Sequence, residues 1–379
     1  HLRDIVSWNA LISGYAQSGL AHEALKCFRQ IEDEGVCPDA VTYICILKAC
    51  AIGGSLEIGE CIDARIRRFW LSEKDLMLGN ALVDMYSKCG ALKRAQEVFE
   101  LLPDQNVVSW SALIGGYVQN GLGDEALKCF REMKDAGVYP DVVTYVSILK
   151  ACGLKGCLEI GEDIDSNVRK KGLLEKDIML GTAVVDMYCK CGVMEKAQQV
   201  FNQLPTRGVM SWNSLIAGYI QNGLGNEALK CVEQMKDTRV EPDKVTYVYI
   251  MKACGIMRSI EIAEDIHMKV RKQGLLDNDV ILGNALVDMY CKCGLLANAL
   301  DVFDQLPVQT IVSWNALIAV YTHNGLCDKA LKCFLQMRDA GVCPNTETYI
   351  SILKACGIMG SLEIGEDIDA EIRKQGLLE

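Results

Sequence analysis

Four short polar side chains sit in one repeated frame. Asn9, Ser111, Asn213 and Asn315 each follow Ser-Trp and precede a small residue and the pair Leu-Ile. An amide offers a donor and an acceptor together, and a hydroxyl offers a rotatable donor. Their chemistry is hydrogen-bond recognition. Lysines recur beside them: Lys48, Lys150, Lys252 and Lys354 each precede Ala-Cys, and Lys88, Lys190 and Lys292 each follow a Tyr-Ser or Tyr-Cys pair. Patterns that make and break bonds are missing. The sequence has no phosphate loop, no triad spacing and no His-X-Glu with Cys-X-X-Cys of the zinc-deaminase kind. Its four histidines, His1, His22, His267 and His323, are unrelated in position. The pairs Cys189-X-Cys191 and Cys291-X-Cys293 point about 200° apart on a helix, with no histidine nearby. No metal, cofactor or catalytic activity is expected.

The frame that carries these residues is a repeat. Trp8, Trp110, Trp212 and Trp314 are each 102 residues apart, and a missed repeat miscalls a whole fold. Three related helical pairs fill one period. In the first, Trp8, Leu11, Ile12 and Tyr15 follow the i, i+3, i+4, i+7 spacing of one helix face. Gly19 stops that helix, and Ala24, Leu25, Cys27, Phe28 and Ile31 line a second, ended by Gly35 and Pro38. The second pair has Tyr43, Ile46, Leu47 and Cys50, then Leu56, Ile58, Ile62 and Ile66; the third has Leu82, Val83, Met85 and Tyr86, then Ala95, Val98 and Phe99. No stretch alternates as a strand would. The units run 5–39, 40–75, 76–106, 107–141, 142–177, 178–208, 209–243, 244–279, 280–310, 311–345 and, cut short, 346–379. A pair of this size cannot bury its own apolar face, so stacked neighbours must share a core. The expected fold is all-α: a right-handed superhelical solenoid of helix-turn-helix repeats, one array over 1–379, with first helices lining a concave groove.

Apolar content is 50 % and prolines number only 7, which argues against disorder. No apolar run reaches the roughly 18 residues that span a bilayer. Among the 19 cysteines, Cys27, Cys129, Cys231 and Cys333 recur in Ala-Leu-Lys-Cys on apolar stripes, so they read as small buried residues of a reducing compartment. Both ends stop inside the repeat pattern: His1-Leu2-Arg3-Asp4 reads as the tail of a third-type unit, and Gly376-Leu377-Leu378-Glu379 breaks off where Gly172-Leu173-Leu174-Glu175 continues. That predicts a fragment, in which a missing targeting peptide carries no information.

Three unit lengths in fixed order, the Val-Ser-Trp-Asn-Ala-Leu-Ile opening, Ile-Leu-Lys-Ala-Cys in second-type units and Asp-Met-Tyr-Cys-Lys-Cys-Gly in third-type units resemble the pentatricopeptide repeat family. The match is to its plant subclass of alternating P, L and S units, and it covers essentially the whole chain. The resemblance implies an organellar protein, mitochondrial or chloroplastic, that binds single-stranded RNA at one base per repeat. It further implies a specificity factor for cytidine-to-uridine editing. A DYW-type cytidine deaminase domain would then lie beyond Glu379 or on another chain.

In the family the fifth and last residues of a unit read the base edge. Carried over, the P pairs are Asn9/Asp39, Ser111/Asp141, Asn213/Asp243 and Asn315/Asn345, and the S pairs are Asn80/Asn106, Thr182/Gly208 and Asn284/Thr310. The second residue stacks between bases, which gives Val6, Val108, Met210 and Val312 in the P units. By the same resemblance Asn with Asp favours U, Ser or Thr with Asp favours G, and Asn with Asn favours pyrimidines. Thr182 points to a purine, though Gly208 supplies no side chain, and Thr310 is off-pattern. Helix geometry places the fifth residue in line with the ninth and roughly the thirteenth, outside the packing stripe. The L units carry Ile44, Val146, Val248 and Ile350 there, which cannot hydrogen-bond a base. They would be spacers, or a surface for an accessory protein such as a multiple organellar RNA editing factor.

Lys48, Lys150, Lys252 and Lys354 occupy the ninth position and could meet phosphates. Lys88, Lys190 and Lys292 share the groove face, but Asp84, Asp186 and Asp288 lie one helical turn earlier and compete for them. A net charge of −11 is unlike a generic nucleic-acid binder. The carboxylates, however, cluster in second helices (Glu57, Glu60 and Asp63; Glu159, Glu162 and Asp163), expected to face outward. The alternative is a tetratricopeptide-like scaffold for peptides, against which the three unit lengths and the polar variation at fifth and last positions argue.

Overall fold

The computed structural model describes residues 4–70, 76–276 and 279–374, with the backbone alone of Phe69 and Trp70. The opening residues 1–3, which include His1, and the closing tail 376–379 therefore lie outside the described residues. Among the described residues there are 22 helices and no strand. The chain forms two compact units, His1–Pro205 and Thr206–Glu379.

The first unit opens with α1 (Ile5–Gln17), α2 (Ala21–Asp33), α3 (Ala40–Gly53), α4 (Leu56–Trp70), α5 (Leu76–Lys88) and α6 (Leu92–Glu100). It continues with α7 (Val107–Gln119), α8 (Gly123–Asp135), α9 (Val142–Lys155), α10 (Leu158–Lys170), α11 (Ile178–Lys190) and α12 (Met194–Gln203). The second unit holds α13 (Val209–Gln221), α14 (Gly225–Asp237), α15 (Lys244–Met257), α16 (Ile260–Lys272) and α17 (Val280–Lys292). Its remaining helices are α18 (Leu296–Gln305), α19 (Ile311–His323), α20 (Cys327–Asp339), α21 (Thr346–Met359) and α22 (Leu362–Lys374). Within each unit every odd-numbered helix packs on the next odd one. Each even-numbered helix packs on the odd helix before it and, within the unit, on the one after. The result in each unit is two layers of a helical-repeat solenoid.

The residues that repeat are the ones that stack. Ile12, Ile46, Leu47, Val83, Ile114 and Ile148 are fully buried along the first layer. Gly19, Gly121, Gly223 and Gly325 each take a left-handed φ between 70° and 76°, which turns the chain from the first helix of a pair into the second. Two tryptophans pin their repeat to the one before. Trp110 meets Phe99 edge to face, centroids 4.6 Å apart, and Trp314 meets Phe303 at 4.7 Å. Such pairs add roughly 0.5–1.5 kcal/mol beyond area burial. Cys27, Cys129, Cys231 and Cys333 are buried, and burial pushes the last three thiols up to about 12. They are packing residues.

The second helices are not uniformly outward-facing in their acids. Glu57, Glu60, Glu159 and Asp163 are exposed, and Glu162 is half-buried and paired with Lys196. Asp63, in contrast, is buried: it accepts from Tyr86 Oη at 2.8 Å and pairs with Arg67 at 2.8 Å. Asp165, Tyr188 and Arg169 repeat the arrangement at 3.0 and 2.7 Å. These triads join an even helix to the following odd one, and the partner 23 residues away is invisible in the pattern of a single helix.

The second unit departs from this rule. His267 takes the place of the aspartate, its Nδ1 2.7 Å from Tyr290 Oη. Burial, with Arg271 adding to it and Asp301 opposing, holds the imidazole below its ordinary 6.5. A depressed histidine must charge as it unfolds, so its contribution is present above the unfolded value and lost as pH falls through the folded one. The second unit should lose thermal stability from pH 7.5 to pH 5, and His267→Asp, which restores the sister triad with Arg271, should flatten that loss. Melting curves of both proteins at the two pH values check this; equal losses would remove His267 from the account.

Candidate nucleic-acid interface

The proposed reading residues sit where one unit hands over to the next. Asp39, Asp141, Asp243 and Asn345 each close a P unit and each caps the helix that follows: α3, α9, α15 and α21. The local reason is Asp-X-X-Thr or Asn-X-X-Thr. The threonine N–H donates to the cap oxygen at 2.8 Å in the first three units and 3.0 Å in the fourth. Its hydroxyl lies 2.7–2.9 Å from the same atom. That Oδ1 then takes a third contact, from the fifth residue of its own unit. Asn9 donates to Asp39 at 3.0 Å, Asn213 to Asp243 at 3.1 Å, and Asn315 to Asn345 at 3.1 Å; Ser111 reaches Asp141 at 3.4 Å.

The fifth residues are consequently not outside the packing, as helix geometry alone led one to expect. Asn9, Ser111, Thr182, Asn284 and Asn315 are buried, and Asn80 and Asn213 are half-buried; over Asn9, Ser111, Asn213, Asn284 and Asn315 the cap of the following helix closes. The capping threonine joins in: Thr144 Oγ1 is 2.6 Å from Ser111 Oγ, and Thr246 and Thr348 donate to Asn213 and Asn315 at 2.7 and 2.6 Å. Thr42, Thr144, Thr246 and Thr348 are thus site residues that sequence reasoning missed. The signal was their place three residues after an N-cap.

The S pairs are more varied. Asn284 donates to Thr310 at 2.8 Å. Asn106 caps α7 through Val108 N–H and Ser109 N–H and shares a cleft with Asn80. Thr182 belongs to the first unit and Gly208, which opens α13 without a side chain to cap it, to the second. Asn9, Asn80 and Asn284 each keep a buried amide oxygen with no hydrogen-bond partner among the described residues.

Apolar side chains flank these pairs. Val6 and Met210 are 70 % and 69 % exposed, and Val108 and Val312 are also exposed. The row is longer than the P units alone: Met77, Met179 and Ile281 in S units and Val41, Val143 and Val245 in L units are exposed at the same second position. Glu347 breaks it in the last unit. Of the L-unit fifth residues, Ile44, Val146 and Val248 are half-buried and Ile350 is exposed.

In the first unit a cleft of about 750 Å³ gathers one full set. Asn80, Asn106, Ser111 and Asp141 line it with Met77, Val108, Val143, Ile44, Lys48 and Lys88. Lys88, Lys190 and Lys292 pair with Asp84, Asp186 and Asp288 at 2.8, 2.7 and 2.6 Å. Lys48, Lys150, Lys252 and Lys354 are exposed and make no ion pair among the described residues, though Lys252 lies 6.0 Å from the Tyr249 ring centroid. The ninth-position row is therefore the free cationic one. Among the described residues no group could hold a metal ion: Cys191 Sγ instead approaches the Cys152 carbonyl at 3.8 Å.

Burial alone would raise the Asp39 and Asp243 carboxyls, but the threonine N–H and hydroxyl and the asparagine amide outweigh it and hold both below the usual carboxylate value of 3.8. Their contribution is thus lost only as pH falls through that depressed value. Asn345 shows that a neutral amide still caps. Asp243→Asn should therefore keep most of the stability, while Asp243→Ala should lose about 1 kcal/mol with the cap. Denaturant melts of the two variants compare them; an asparagine variant as weak as the alanine one would mean that charge, not capping, holds the site.

Comparison with known proteins places this geometry. The PPR repeat family model matches residues 3–52, 105–153, 207–255 and 309–357, and the PPR repeat model matches 80–107, 182–209 and 284–308. A chloroplastic pentatricopeptide repeat-containing protein of Arabidopsis thaliana is 34% identical over 368 residues, covering 97% of this chain and 59% of that protein. A mitochondrial one from the same plant is 35% identical over 368 residues, 97% of this chain and 36% of its own length. The chain thus spans between about a third and three-fifths of these two relatives. Among solved structures, the pentatricopeptide repeat protein PPR10 in complex with an 18-nt psaJ RNA element has a TM-score of 0.70 at 18% identity, over 97% of this chain and 61% of that one, a likeness of fold. With its repeats matched over more than half its length, the chain belongs to the pentatricopeptide repeat family.

Proposed function

We propose that the chain is a sequence-reading array for single-stranded RNA and serves as the target-recognition part of an organellar cytidine-to-uridine editing factor. The observation that carries the reading is the cleft around Asn80, Asn106, Ser111 and Asp141. A nucleobase is flat and apolar on its faces and polar on its edge. The cleft offers apolar side chains at successive second positions, Met77 and Val108, and between them fixed donors and acceptors. Lys48 and its counterparts stand on the same face, free to meet phosphates. The RNA named for PPR10 and the chloroplastic and mitochondrial relatives support the partner and the compartment.

On this reading the seven P and S pairs each select a base, and the L units, with Ile44, Val146, Val248 and Ile350, space them and present a surface to an accessory editing factor. The deamination itself falls to a DYW-type domain, in the same protein or in trans.

Ser111 with Asp141 should read G, since the compact hydroxyl leaves room for a purine. Ser111→Asn recreates the pair seen at Asn9 and Asn213. Those sister sites hold the longer amide against the same aspartate and threonine, so the fold should survive. One good base discrimination is worth roughly 1–3 kcal/mol by analogy with DNA readout, so the preferred base should change from G to U by about tenfold or more. Binding of both proteins to two RNAs differing at that base, with thermal melting as control, tests this. A normally melting variant that still prefers G would show that residue 111 does not face the base.

A further inference from the structure

Each junction from a P to an L unit is spanned by the same two positions. Glu32, Lys134, Lys236 and Arg338 hold the first, and Arg65, Asn167, Lys269 and Glu371 the second. In the first junction Glu32 and Arg65 form an ion pair, and in the fourth Arg338 and Glu371 form one at 3.3 Å with the charges reversed. In the second junction Lys134 instead rests over the Phe130 ring at 4.4 Å. The third junction alone sets two like charges across the gap. Lys236 and Lys269 line a cleft of about 700 Å³ between the end of α14 and α16, with Lys272, Gln273, Glu241 and the buried Tyr247.

The charge there is unbalanced. Lys236 and Lys272 are exposed and make no ion pair among the described residues, and Lys269 reaches only Asp265 on its own helix. The turn just after α14 adds Arg239 in the left-handed region, φ 59°, where the sister turns have Gly35, Gly137 and Gly341. An arginine is strained in that conformation, yet the turn holds it. In a chain of net charge −11 this is a local positive spot. None of the cleft residues belongs to the row of second, fifth, ninth and last positions described above.

We propose that this cleft docks an acidic peptide segment of a partner protein, one of whose carboxylates takes the place that Glu32 and Glu371 fill in the sister junctions. The sister pairs are the argument for the occupant: this junction geometry accepts a glutamate carboxylate facing a cation on the neighbouring helix, and here both helices supply cations.

The test is fluorescence anisotropy on the full chain with a labelled Glu/Gly-alternating decapeptide, its Gln/Gly counterpart and a uridine decamer. The glutamate peptide should bind, and the glutamine peptide should bind at least about fivefold more weakly, the scale of an ion pair at a partly exposed site. Lys269→Glu, which rebuilds the ion pair with Lys236, should weaken the glutamate peptide by a similar factor without lowering the melting temperature. Lys236→Gln should act in the same direction. Lys134→Glu, the same change of charge at the second junction, should leave binding as it was. Equal binding of the two peptides, binding that survives both Lys269→Glu and Lys236→Gln, an equal loss in Lys134→Glu, or displacement of the peptide by the uridine decamer would each overturn the proposal.

Discussion

One oxygen atom per P unit ties the fold to the candidate site. The Oδ1 of Asp39, Asp141, Asp243 or Asn345 ends one repeat, caps the first helix of the next and holds the fifth residue of its own unit. Helix N-termini leave N–H groups without intrahelical partners, so some acceptor is needed there for stability alone. Using that acceptor to orient Asn9 or Asn213 means that the polar pair cannot move independently of the stack. Preorganisation of this kind lowers the entropy lost when a ligand is bound.

The same constraint explains which parts were legible in the sequence. The tryptophan spacing, the glycine stops and the apolar rows specify helix pairs locally, and the helices of each unit begin where those patterns begin. Burial of the fifth residues was hidden, because it depends on a cap supplied about 30 residues later, as Asn9 and Asp39 show. Asp63 read as a surface acid for the same reason: its partner Tyr86 comes from another helix. The apolar second positions of the S and L units were missed although Met77, Met179, Ile281 and Val143 stand in plain register with Val6 and Val108. Only the exposure of the whole row makes it a feature of the surface.

Repetition also makes the departures informative. His267 for aspartate, Arg239 for glycine, and Lys269 facing Lys236 all fall in the third P–L pair. None affects the first-layer packing, since Ile250, Met251 and Cys254 remain buried there as in the sister units. Within each unit the caps and fifth residues thus keep one pattern while the second helices vary.

The central claim is that fifth and last residues read bases in chain order. A selection from randomised single-stranded RNA against the purified chain tests it most directly. With the first unit at the RNA's 5′ end, as the family resemblance implies, the account predicts U, an unread position, a pyrimidine, G, an unread position, a purine, U, an unread position and two pyrimidines, in register with the units from Asn9 to Asn345. No enrichment, or G at the position assigned to Asn9 and Asp39, would contradict it.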